Sequence, residues 1–160
     1  LDDDSETPDS LVTLYEFPTY QLIWEHRVGL NNGLNSRPWG VEWHGTEGSI
    51  ILNDAGWQLT TEPKRANIPS QRGKANGKDP RDAHVKNFLA CVKSRQQPVL
   101  NLEKGHRVST LAHLGNIAYR TDRKVFWDSE NEKIIGDHDA NKLVGVKYRK
   151  PWHLPGLRNA

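Results

Sequence analysis

The chain has 160 residues, of which 35% are hydrophobic, which suffices for one compact domain with a modest core and is too little for two. Its 22 Lys and Arg nearly balance 20 Asp and Glu, a net charge of +2, so no strong field points to nucleic acid or to an anionic membrane as partner. No apolar run approaches the roughly 18 residues needed to cross a bilayer, and the acidic start Asp2, Asp3, Asp4, Glu6 is unlike a secretory leader.

The chain therefore reads as soluble, with its compartment, a bacterial-type cytoplasm or periplasm, left open. Cys91 is the single cysteine and has no internal disulfide partner. A start at Leu1 and the lack of any Met suggest a fragment or a processed form.

After the acidic lead, 11–17 and 20–28 are β-prone runs joined at Pro18-Thr19, which predicts an antiparallel hairpin. In the second run Leu22, Trp24, His26 and Val28 alternate onto one face, the expected buried one. Residues 29–38 are rich in turn formers and predict a surface loop of the kind that lines sites. Strands at 39–44, 49–53 and 57–61 complete an expected five-strand antiparallel meander. The segment 62–78 carries Lys64, Arg65, Arg72, Lys74 and Lys78 without an apolar period and reads as a long mobile connection.

A first helix is expected from Asp79, with Pro80 in its first turn and Val85, Phe88, Leu89 and Val92 at i, i+3, i+4 and i+7. A second, over 102–121, carries so many apolar residues that burial on two sides is expected. A strand at 124–128, a short helix at 139–144 and an irregular tail broken by Pro151 and Pro155 follow. The class is α+β, a mostly antiparallel open sheet with helices packed on one face, in a single domain over 1–160.

Among the thirteen glycines no two are spaced for the Gly-x-Gly-x-x-Gly dinucleotide turn, so this chain by itself is not expected to hold NAD(P). P-loop, His-Glu-x-x-His, Cys-x-x-Cys and nucleophile-elbow signatures are likewise missing, and neither catalytic nor metal-ligating residues are assigned. Candidate substrate-binding groups remain. His106, Ser109, His113, Asn116 and Arg120 form one polar stripe on the second helix, either a solvated face or one wall of a ligand cleft.

His26, between Trp24 and Val28, is either a hydrogen-bonded core imidazole or a reader of sugar hydroxyls. Trp39 and Trp43, with Arg37 beside them, suit carbohydrate stacking or, equally, a sheet or subunit interface. Gly105-His106-Arg107 at a helix start suits an anion or simple capping, and the basic 64–78 segment suits a phosphate contact or a solvated loop. The substrate-binding candidates are thus His26, Arg37, Trp39, His106, His113 and Asn116.

Several segments taken in order carry a family resemblance. They are Asp-Ser-Glu-Thr-Pro-Asp at 4–9, Trp24-Glu25-His26-Arg27, the turn and strand from Gly45 to Ile51, and His84-Val85-Lys86-Asn87-Phe88-Leu89-Ala90-Cys91-Val92. Gly105-His106-Arg107 and His113-Leu114-Gly115-Asn116-Ile117-Ala118-Tyr119-Arg120 complete the set. Together they resemble the carboxy-terminal domain of the glucose-fructose oxidoreductase, inositol dehydrogenase and MocA (Gfo/Idh/MocA) family, over roughly Asp2 to Leu154.

The resemblance implies a two-domain parent: an amino-terminal Rossmann domain for NAD(P), absent from this sequence, and an α+β domain whose sheet supplies substrate and subunit contacts. It further implies a sugar or polyol substrate, a homo-oligomer, and an isolated chain inactive without its partner domain. The family's Glu-Lys-Pro and Asp-x-x-x-His elements have no counterpart: Glu62-Pro63-Lys64 has another order, and no histidine follows an aspartate by four. The alternative is a stand-alone carbohydrate-binding or protein-interaction module without catalysis, with which six tryptophans are compatible.

Overall fold

A computed structural model describes residues 7–146 and 148–152, and divides the chain into two compact units, Leu1–Ser94 and Arg95–Ala160. Every strand pair among the described residues is antiparallel and three α-helices accompany them, which makes the class α+β.

The first unit opens with β1 (Ser10–Glu16) and β2 (Gln21–Arg27), paired from Ser10↔Arg27 to Glu16↔Gln21. The Phe17 amide donates to the Tyr20 carbonyl, and their rings stack at 4.5 Å across the Pro18-Thr19 turn, so an aromatic pair holds the hairpin closed. Leu11, Thr13, Tyr15, Leu22 and His26 are half-buried on one face, whereas Val12, Leu14 and Ile23 on the other are exposed. Trp24 and Val28 depart from the expected buried face and stand 49% and 56% exposed, since a two-stranded ribbon has no second layer to cover a large side chain.

The expected five-strand meander is divided differently. The second sheet runs β3 (Val41–Gly45), β4 (Gly48–Asn53), β5 (Gly56–Thr61) and β6 (Gln71–Lys74), in that spatial order, and β1–β2 form a sheet of their own. Strand β6 lies inside the segment expected to be an unstructured connection. Gln-Arg-Gly-Lys has no apolar alternation to announce a strand, and its order comes from backbone pairing to the free edge of β5, with Trp57 laid over Gly73.

One face of this sheet carries Val41, Trp43, Ile50, Leu52, Trp57 and Leu59; the other carries Ile51 and Asn53, both buried, with Gln58, Arg72 and Lys74. Helix α1 (Pro80–Ser94) closes the unit, its first turn held by Asp79, which accepts the Arg81 amide at 2.9 Å. The Arg81 guanidinium bonds both Asp79 oxygens and holds that carboxyl below its ordinary pKa. The apolar stripe of α1 is as expected in spacing, yet no residue of the helix is buried.

The second unit is built around α2 (Leu102–Thr121), bounded as the sequence predicts. Asn101 caps its start by accepting the Lys104 amide, and Asp122 ends it in the left-handed conformation (φ 51°), donating its N–H to the Ala118 and Tyr119 carbonyls. A short hairpin, β7 (Trp127–Asp128) with β8 (Lys133–Ile134), and helix α3 (His138–Asn141) complete the unit. Ile117, Ile134 and Ala140 form its core, flanked by Val125 and Trp127.

Polar contacts lock that core. The Asn141 side chain pairs with the Ile134 backbone like a neighbouring strand, accepting its N–H at 2.7 Å and donating to its carbonyl at 2.5 Å. Arg123 grips Asp137 with two bonds of 2.6 and 2.9 Å, while Asp137 also accepts the Ala140 amide. The expected two-sided burial of α2 is not observed: Leu114, Gly115 and Ile117 are buried, but Val108 and Tyr119 are exposed. The hairpin and α3 supply one covering layer, which shields one stripe of the helix.

Candidate functional site

The loop before β3 begins the first unit's candidate site. Asn35 and Ser36 both adopt left-handed backbone (φ 56° and 57°), and the Gly33 amide donates to the Arg37 carbonyl at 2.8 Å, so the loop folds back on itself. This brings the half-buried Arg37 to the end of β4, where its Nη1 donates to Asn53 Oδ1 at 2.9 Å. Asn53 is 8% exposed; the same oxygen accepts the Ala55 amide at 3.0 Å, and Nδ2 donates to the Trp39 carbonyl at 3.4 Å. A buried amide thus fastens the loop, the turn after β4 and the guanidinium to one point.

Beside that point opens a cleft of about 810 Å³, lined by Arg37, Asn53, Trp57, Gln58, Arg72 and Lys74 among others, with no Asp or Glu in its wall. Register explains the convergence. Asn53 pairs with Gly56 and Gly56 with Lys74, while Ile51 pairs with Gln58 and Gln58 with Arg72. The two rows therefore share one sheet face, and Gly56 leaves the middle of the first row without a side chain. Its backbone (φ +137°) and the nearness of the Lys74 Cα, 2.9 Å from where a Cβ would stand, both require glycine there.

Of the sequence-derived candidates, Arg37 lines this cleft. Trp39 contributes its carbonyl to Asn53, but it precedes β3 rather than sharing a strand face with Trp43, and its side chain is 56% exposed. His26 lies on the other sheet. Its Nδ1 accepts from the Trp24 indole at 3.3 Å, so Nε2 carries the proton and donates to the Pro8 carbonyl at 3.2 Å. Both ring nitrogens are engaged within the hairpin.

The second unit holds the other three candidates on α2. His106 Nε2 meets Glu132 Oε1 at 2.6 Å, a carboxylate–imidazole pair that ties α2 to the β7–β8 turn. His113 is exposed and Asn116 half-buried along the same stripe. Gly105 lies inside the helix, its N–H already bonded to the Asn101 carbonyl, so the helix start is satisfied by its own cap. Among the described residues no group of three or more His, Cys, Asp or Glu is arranged to hold a metal ion, and no helix is long and apolar enough to cross a membrane.

The sequence reading passed over Asn53, Trp57 and Gln58, and included the other two, Arg72 and Lys74, in the basic 64–78 segment taken as a phosphate contact or a solvated loop. The signal for the last two was the spacing of two cations at i and i+2 around a glycine, which places them on one side of a strand once the strand is known.

No curated protein and no solved structure matches the chain. A family model described as the C-terminal alpha/beta domain of an oxidoreductase family matches residues 57–154, from β5 through the whole of α3, which is more than half of the chain. With its antiparallel α+β elements and that match, the chain belongs to the Gfo/Idh/MocA oxidoreductase family, in its C-terminal domain.

Proposed function

We propose that this chain is the substrate-side and subunit-assembly portion of an NAD(P)-dependent sugar or polyol oxidoreductase, with no complete active site of its own. The observation that carries the reading is membership of the oxidoreductase family through its C-terminal domain. The residues do not fit the dinucleotide: such a site needs a parallel β-α-β unit with a glycine-rich turn, and the strand pairs described are all antiparallel. The two long helices also begin on side-chain caps, Asp79 and Asn101, rather than on free amides facing a pyrophosphate.

The nicotinamide is then held by a Rossmann domain, and the 810 Å³ cleft is where this chain would meet a small polar molecule. The apolar face of the β3–β6 sheet, with Val41, Trp43 and Leu52 each about half exposed, supports a role in homo-oligomer assembly.

A titration of the 160-residue chain with NADH and NADPH, followed by nicotinamide fluorescence, is expected to show no saturable binding. Co-expression with a Gly-x-Gly-x-x-Gly domain encoded upstream is expected to restore binding. Micromolar binding to the chain alone overturns the reading. A second reading, a stand-alone carbohydrate-binding module, is favoured by the exposed indoles of Trp24, Trp39 and Trp43. It requires neutral-sugar binding that is lost on their replacement and indifferent to any nucleotide-binding partner.

A further inference from the structure

We infer that the cleft over β4, β5 and β6 is a binding site for a compact oxyanion, the carboxylate or phosphate of a small hydroxylated molecule. The inference rests on reading this chain as the substrate side of the enzyme and narrows the substrate from a sugar or polyol to an acidic one.

Three cations border the cleft and no carboxylate lines it. Arg72 and Lys74 alternate onto one face of β6, about 7 Å apart along the strand, and Lys74 lies two strands, about 10 Å, across from Asn53. Their cross-strand partners, Gln58 and Gly56, are neutral, so neither cation is neutralised across the sheet. Neither has a carboxylate partner elsewhere among the described residues.

Glu42, the acid on the same sheet face, lies on β3, at the far side of Ile51 and Gln58 from Arg72, and its Oε2 is occupied by Asn35 Nδ2 at 2.9 Å. Gly56 places no side chain between Asn53 and Lys74 in that row.

Cations on an edge strand have a simpler use, to keep that edge from pairing with another chain. That use does not account for Arg37. It comes from a separate loop, is held in place by a buried asparagine, and has guanidinium donors beyond the one spent on Asn53. A fixed guanidinium fork on the same cleft as two further cations is an arrangement that recognises a carboxylate or phosphate in two-point fashion. Gln58 adds an amide for a hydroxyl.

The test uses the full 160-residue chain, titrated calorimetrically with D-gluconate, D-glucose 6-phosphate, inorganic phosphate and neutral D-glucose. Binding of at least one of the two acidic sugars is expected, at least tenfold tighter than glucose. The tighter of the two shows whether the group is a carboxylate or a phosphate, and inorganic phosphate should compete. The pair Arg72→Gln with Lys74→Gln should weaken binding at least tenfold, Arg72→Lys with Lys74→Arg should retain most of it, and Lys86→Gln on exposed α1 should leave it unchanged.

Equal binding of glucose, an unaffected Gln pair, or an equal loss in Lys86→Gln overturns the inference, the last because it marks diffuse charge. These outcomes are separable from those of the parent reading. Lost anion binding beside turnover of neutral sugars by the enzyme reassembled with its nucleotide-binding domain removes this site alone. Capture of NADH by the chain alone removes the parent reading and leaves the anion titration interpretable.

Discussion

Replacing Asn53 by alanine removes the pivot of the first unit's cleft. The side chain is 8% exposed and its three hydrogen bonds differ in weight. The bond from Arg37 Nη1 is charge-assisted at 2.9 Å, the one from the Ala55 amide is ordinary at 3.0 Å, and the one to the Trp39 carbonyl is long at 3.4 Å. Bonds to a charged group contribute about 1.5–3 kcal/mol net and neutral ones about 1 kcal/mol.

The long bond counts for little, and the amide of Ala55, an exposed residue, can recover part of its loss from water. A destabilisation of about 2–3 kcal/mol follows from these bonds. In urea, with a slope of about 1–2 kcal/mol/M, the midpoint should fall by about 1–3 M. Asn53→Asp keeps the shared acceptor but sets an oxygen against the Trp39 carbonyl, so it should cost less than alanine. Unfolding followed by tryptophan fluorescence measures both. A loss below about 0.5 kcal/mol in Asn53→Ala, within the range of an ordinary surface change, would refute the reasoning that this amide organises the loop.

Two further outcomes follow from backbone geometry and charge. Gly56→Ala places a Cβ 2.9 Å from Lys74 Cα on backbone that L-residues avoid, so the β5–β6 pairing should weaken by about 1–3 kcal/mol. Amide exchange of Gln71–Lys74 should accelerate accordingly, and unchanged protection contradicts this account. In the second unit, Arg123 and the Ala140 amide hold the Asp137 carboxyl at about 2, below its ordinary value of 3.8. A depressed folded-state pKa means stabilisation that is complete above the ordinary value and lost as pH falls towards 2. Asp137→Asn should therefore flatten the acid limb of the stability curve between pH 4 and 2, and an acid limb unchanged from the parent protein tells against the pair.

Helix α2 shows how much the linear pattern carried. The apolar-rich run is a local feature, and the bounds 102–121 read from it are those observed. The β1–β2 hairpin and β3 to β5 were legible for the same reason, since alternation and turn residues act within a few positions. What escaped is non-local. Strand β6 has no side-chain signature because its order is borrowed from the edge of β5. The burial of α2 was overestimated because apolar content records what a helix can bury, whereas the layers that pack on it decide what it does bury.

The candidate site divides along the same line. His26 attracted notice as a histidine between apolar residues, and its environment is a self-contained pair of hydrogen bonds within its own hairpin. Arg37 was noticed beside tryptophans, but its setting depends on Asn53, sixteen residues away, and on register with β6 beyond that.

The sequence by itself determined the antiparallel α+β class, the extent of the longer helix, the start of the other and the kinship with an oxidoreductase C-terminal domain, because these are written in spacing and order along the chain. Tertiary structure alone decided that Arg37, Arg72 and Lys74 border one cleft. Cross-strand register, which brings residues tens of positions apart into the same row, is set by backbone hydrogen bonds that every residue offers alike, so no side-chain pattern announces it.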